Sequence, residues 1–188
     1  MKNDKINIFF MILRSVEWAK VSEKLENYNF QTKFIMSRDT IYRELNGYFN
    51  QSAGSPVILD TNELNTSKLR SKIGVKDSPM IGKDDYNHYL YYYKYLLKII
   101  DRRRLLSQFL TIDKEVIFIN LIQFYKDLIT QFHIEGIVFV ENPHDLSSYI
   151  LYLVAKRLQL KIVILNPTSL KGVHNLSTSI ISNRITSE

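Results

Sequence analysis

The residues able to do chemistry gather behind two short apolar runs in the last third of the chain. The run 136–140 is followed by Glu141, Asn142, Pro143, His144 and Asp145. The run 161–165 is followed by Asn166, Pro167, Thr168 and Ser169. An imidazole titrates near neutrality and a carboxylate can orient it, so His144 with Glu141 or Asp145 is a candidate general acid–base pair. Asn142, Asp145, Asn166, Thr168 and Ser169 can exchange hydrogen bonds with a polar substrate. A purely structural account fits the first loop as well. With Asn142 as N-cap, Pro143 takes the first helical position, where its missing N–H is harmless. Asp145 then meets the free amides and the positive end of the helix dipole, and a lone histidine at such a start is commonly a surface residue.

These loops need elements to position them. "GIVFV" and "KIVIL" are short, continuously apolar and β-branched, as expected of parallel strands covered on both faces. The spacing between them predicts a helix over 145–158, and a right-handed crossover would set the two strands side by side. Upstream, strands are expected at 6–13 and 30–36, the second less hydrophobic and so nearer a sheet edge. Helices are expected at 15–27 and 39–48, with Ser37 as N-cap of the latter. Residues 51–83 carry the turn formers of an irregular insertion, with a short strand at 57–59 and a short helix near 63–72. Long helices follow at 84–110 and 113–132, and the tail holds a strand at 178–181. Alternating strands and helices give an α/β fold: a single domain over residues 1–188, Rossmann-like, with an open, mostly parallel sheet flanked by helices and a long helical insertion at 84–133. Ligands bind such sheets outside the carboxyl ends of the strands. The two polar loops of the 136–165 unit should therefore share one rim, with Arg14, Ser15, Ser37 and Arg38 beside them by position.

Composition narrows the chemistry. At 188 residues the chain can bury a sizeable core, and having no cysteine it has no disulfide, thiolate nucleophile or cysteine-ligated metal. His88, His133, His144 and His174 are dispersed without metal-ligand spacing, so no metal site is expected. No GxGxxG, GxxxxGK[ST] or GxSxG occurs, which disfavours classical NAD enzymes, P-loop NTPases and α/β hydrolases. No tightly bound cofactor is expected. The net charge is +6, but the basic residues are scattered apart from Arg102, Arg103 and Arg104, so no specific nucleic-acid binding is expected. The apolar N-terminal run is interrupted by Asn7 and ends at Arg14. It is too short to span a bilayer and lacks a signal-peptide cleavage site, and a cytoplasmic protein is expected. The tyrosines at 89, 91, 92, 93 and 95 would point all round a helix and mostly pack against neighbours. Any that do not would suit a partner protein or a membrane surface.

The segment "ENPHDLSSYILYLVAKRLQLKIVILNPTSL" resembles a pattern in bacterial capsule and surface-polysaccharide biosynthesis proteins. The matching positions are Glu141, Asn142, Pro143, His144, Tyr149, Leu151, Tyr152, Ala155 and Lys156. More loosely, it is similar to the N-terminal half of glycosyltransferases with two facing Rossmann-like (GT-B-like) domains. The resemblance implies a role in building a surface glycan, with sugar transferred from a nucleotide sugar as co-substrate. It implies an acceptor-side domain, possessing a glycan acceptor as ligand, whose donor site sits chiefly on a second domain or partner protein, at the inner face of the membrane. On that view the chain is the N-terminal half of a longer protein. His144 and Glu141 are then the catalytic candidates, and Arg14, Asn142, Asp145, Asn166, Thr168 and Ser169 the substrate-binding ones. The alternative is a non-catalytic Rossmann-like module that binds a partner within a glycan-assembly complex.

Overall fold

A computed structural model describes residues 5–11, 15–49, 54–102, 110–168 and 174–179. The strands are β1 (Ile6–Met11), β2 (Phe30–Ser37), β3 (Val57–Asp60), β4 (Gly136–Phe139), β5 (Lys161–Pro167) and β6 (His174–Ser177). The helices are α1 (Glu17–Lys24), α2 (Asp39–Phe49), α3 (Thr66–Ile73), α4 (Lys83–Arg102), α5 (Thr111–Gln131) and α6 (Leu146–Arg157). They build one six-stranded sheet in the order β3-β2-β1-β4-β5-β6, parallel except for β6. This is the α/β, Rossmann-like architecture. Chain order reverses between β1 and β4, the point at which such sheets open a crevice.

Side-chain alternation divides the core between the two faces. Phe9, Met11, Phe34, Met36, Leu59, Ile137, Phe139 and Ile164 pack under α3, α4, α5 and α6. Ile8, Phe10, Ile35, Ile58 and Val140 pack under α1 and α2 through Ala19, Leu45 and Phe49. Helix α6 is apolar almost all round, and Ile150, Leu151 and Val154 are fully buried. Each contributes about 1.5–3 kcal/mol by leaving water. Asp85 on α4 accepts from Lys126 of α5 and Arg157 of α6, which ties the three outer helices at one point.

Several expectations need correction. β2 is one strand in from the edge strand β3 and is paired on both sides, so it is not itself an edge. Its alternation is broken by a bulge: Ile8 pairs Thr32 but Phe9 pairs Phe34, leaving Lys33 as the extra residue. The bulge puts Phe30 and Ile35 on the α1 side while Phe34 and Met36 face the other way. β5 does not stop at Asn166; it runs through Pro167, pairing with β6 up to Pro167↔His174. Beyond Ile164 it has lost β4 as partner, so an absent N–H on that side removes no ladder bond. Nor is β5 covered on both faces, for Val163 is 36% exposed. The last strand also comes earlier than expected. Thr178 and Ser179 form a bend, and Ile180 and Ile181 lie outside the described residues.

Candidate functional site

The carboxyl ends of β2, β3, β4 and β5 meet along one edge of the sheet. Arg14 and Ser169 lie outside the described residues. Ser15 lies just ahead of α1, its hydroxyl accepting from the Glu17 amide at 3.1 Å. After β4, the Val140 amide donates to the Met11 carbonyl, so the loop that follows leaves directly from the switch point beside β1.

That loop is built around Asp145, not Asn142. Asp145 is the N-cap of α6: its Oδ1 accepts from the Ser148 amide at 3.1 Å, and the Ser148 hydroxyl donates to Oδ2 at 2.7 Å. The Asp145 amide donates to the Ser148 hydroxyl oxygen in return, which completes a capping box. Residues 142–144 are thereby freed from the helix and form a short non-helical bridge with Pro143 buried. Asp145 thus has a structural role that occupies both carboxylate oxygens.

Glu141 and His144 are brought together. The Glu141 side chain is 6% exposed and its Oε1 stands 3.9 Å from His144 Nδ1, on an imidazole that is 48% exposed. Nδ1 also lies 2.9 Å from the Asn142 carbonyl oxygen. A carbonyl can only accept, so this bond places the proton on Nδ1 and leaves Nε2 with its lone pair. A half-exposed imidazole oriented through Nδ1 by a backbone carbonyl, with a buried acid 3.9 Å away, has the geometry of a candidate general base.

The β4–β5 ladder ends at Phe139↔Ile164, so Glu141 and Asn166 each stand two residues past the last pair. Asn166 is 9% exposed, and its amide donates to Ser177 on β6 at 3.0 Å. Thr168 is half-buried just beyond. Ser37 is not the cap of α2. It completes β2, and the first helical bond of α2 is instead donated by the Tyr42 amide to the Arg38 carbonyl.

Sequence reasoning missed Thr61. It follows β3 and is fully buried, its amide donating to the Ser37 carbonyl at 2.7 Å and its own carbonyl accepting from Ser147 Oγ of α6 at 2.9 Å. The first turn of α6 therefore lies against the ends of β2 and β3 as well as β4. The sequence signal was present, since Thr61 follows an apolar run as Asn142 and Asn166 do, but residues 51–83 read as an irregular insertion.

Four buried, neutral atoms along this edge have no hydrogen-bond partner among the described residues: Ser37 Oγ, Thr61 Oγ1, Asn142 Oδ1 and Asn166 Oδ1. Polar atoms withheld from water and left unbonded cost free energy, about 1–3 kcal/mol apiece. Their concentration at the carboxyl ends of the strands, where open α/β sheets take their ligands, makes this edge the candidate site for a hydrogen-bonding molecule. These four neutral groups stand beside the buried Glu141 carboxylate, a set that suits a ligand presenting hydroxyls. No set of three histidine or acidic residues able to hold a metal occurs among the described residues, and no described helix is long and apolar enough to cross a membrane.

No protein-family model and no curated protein matches the chain. Among solved structures, it is similar to a CDPS (cyclodipeptide synthase) from Fluoribacter dumoffii at 15% identity. The alignment covers 85% of this chain and 88% of that one with a TM-score of 0.40, a likeness too distant to give any residue a role.

Proposed function

We propose that this chain acts in surface-polysaccharide assembly as the acceptor-side domain of a nucleotide-sugar-dependent glycosyltransferase. The observation that carries the reading is the carboxyl edge itself: a histidine–carboxylate pair beside a row of buried, neutral, unbonded hydrogen-bonding atoms. The motif around Glu141 to His144, which resembles surface-polysaccharide proteins, falls on that edge. An acceptor hydroxyl held by Asn142 and Asn166 would lose its proton to His144 Nε2 while its oxygen bonds the anomeric carbon of the donor sugar. The bond from that carbon to the nucleotide diphosphate breaks, and the diphosphate leaves with the electron pair. Glu141 would steady the imidazolium that forms. The donor nucleotide is assigned to a second domain or subunit.

The test is complementation in the native host with His144→Ala and Glu141→Gln, each checked for folding by circular dichroism. Glycan synthesis should fall at least about 100-fold, the usual contribution of general base catalysis. Folded variants that sustain normal synthesis would sink the catalytic reading. A partner-binding module is the second reading, favoured by Tyr91 and Tyr95 of α4, which are 81% and 54% exposed. It predicts that Tyr91→Ala with Tyr95→Ala abolishes synthesis whereas the His144 change does not.

A further inference from the structure

Away from the rim, α3, the loop after it and α5 enclose a groove of about 730 Å³. Its upper end begins at Thr66, the first residue of α3, a few residues past Thr61. We infer that this groove binds an uncharged glycan, holding part of the acceptor chain away from the reacting end; the inference rests on the acceptor-side reading for its ligand class.

The lining supports that class in three ways. Ser67, Ser71, Ser78, Asn120 and Gln123 present hydroxyls and amides, which exchange hydrogen bonds with sugar hydroxyls in both directions. Val75 and Met80 add apolar surface for the C–H faces of a sugar ring. Arg70, the only cation in the lining among the described residues, is already committed. Its Nη2 donates to buried Asp127 at 2.6 Å, its Nη1 to the Lys76 carbonyl at 3.0 Å, and its Nε pairs with Asp77 at 3.2 Å. Within the lining Asp77 offsets Arg70, and the guanidinium is further tied to Asp127 behind it, so the groove offers phosphates and acidic sugars no uncommitted cation.

The polar groups are also held in place. Gln123 Nε2 donates to Ser78 Oγ at 2.6 Å and to Asp127 Oδ1 at 2.8 Å, which fixes the direction of its amide. Gln123 Oε1 is left without a hydrogen-bond partner in the protein. A ligand hydroxyl, directly or through one water, would satisfy it. Ser67 and Ser71 of α3 and Asn120 of α5 are exposed in the lining. A site preset in this way binds without first having to order its own side chains.

The experiment is binding of the full chain to an array of neutral and acidic oligosaccharides, with Ser71→Trp to fill the groove, Asn120→Ala to remove one contact, and Asn166→Ala as a rim control. Retention of neutral glycans is expected, weakened about tenfold or more by Ser71→Trp and Asn120→Ala, the equivalent of one lost hydrogen bond. Asn166→Ala removes one rim contact to the acceptor and should weaken that binding less than the groove variants do. The inference is overturned if the wild-type chain retains no neutral glycan or prefers acidic ones, or if both groove variants bind as well as wild type. Should Ser71→Trp fail to fold, Asn120→Ala decides alone. Binding lost in Asn166→Ala but kept in the groove variants overturns the groove while leaving the acceptor-side reading intact. That reading stands or falls separately, on glycan synthesis by the His144 and Glu141 variants.

Discussion

At the scale of the residue, the loop after β4 shows how one polar stretch divides its labour. Asn-Pro-His-Asp invites a helix start at Asn142, since proline suits the first helical position. The chain instead delays the helix to Asp145, whose carboxylate takes the Ser148 amide and hydroxyl together. Glu141, Asn142 and His144 are left outside the helix as a result, with His144 Nδ1 on the Asn142 carbonyl. Asp145→Ala should therefore cost about 1 kcal/mol, in the range of about 0.5–2 kcal/mol for lost N-caps, read from the urea midpoint at unchanged slope. Asp145→Ser should recover most of it, since a hydroxyl can still accept from the Ser148 amide. Equal loss in both variants would mean that the carboxylate does something other than cap. The acid–histidine pair was legible in the sequence because three positions separate its members. The Ser37–Thr61 contact was not, because nothing local says that the ends of β2 and β3 lie side by side.

At the scale of the element, legibility followed regularity. "GIVFV", "KIVIL" and the helix between them were readable because each holds its period without interruption. β2 misled because "FQTKFIM" changes phase at Lys33, and a bulge looks like poor hydrophobicity when strict alternation is assumed. The chain also spends two long helices, α4 and α5, between β3 and β4, and these meet α6 at Asp85. Its carboxyl is held below the usual 3.8, chiefly by the hydrogen bond from Lys126 and further by Arg157, against the opposing effect of burial. The folded pKa is depressed, so the stabilisation is complete above the unfolded value and is lost as pH falls through the folded one. Asp85→Asn should lower stability near neutrality and flatten the acid limb of the stability curve below about pH 4. Denaturant titrations of both proteins across that limb would show it. Parallel acid limbs would mean that Asp85 gives these helices no net charge-dependent support.

At the scale of the whole molecule, the sheet is covered unequally. Chain order runs outward from β1 in both directions, and right-handed crossovers put α1 and α2 on one face and α6 on the other. The α1–α2 layer lies over β1, β2 and β3. Towards β6 it reaches with Trp18, whose ring meets His174 edge-on at 5.4 Å. Val163 on β5 is consequently 36% exposed and Leu176, opposite Leu165 on β6, is 73% exposed, whereas Ile164 beside them on the other face is fully buried. One strand thus carries neighbouring residues with opposite fates, which its sequence, apolar at each of these positions, could not reveal. The consequence is a contrast between adjacent substitutions. Ile164→Ala removes packing beneath α6 and should cost about 2–5 kcal/mol, the range for emptying a core position. Val163→Ala and Leu176→Ser should each stay within about 0.5 kcal/mol, as surface changes do. Urea unfolding of the isolated chain measures all three. If Val163→Ala costs as much as Ile164→Ala, that face is covered in solution and the unequal layering is wrong; if the contrast holds, the open face is an intrinsic consequence of where the chain reverses its order.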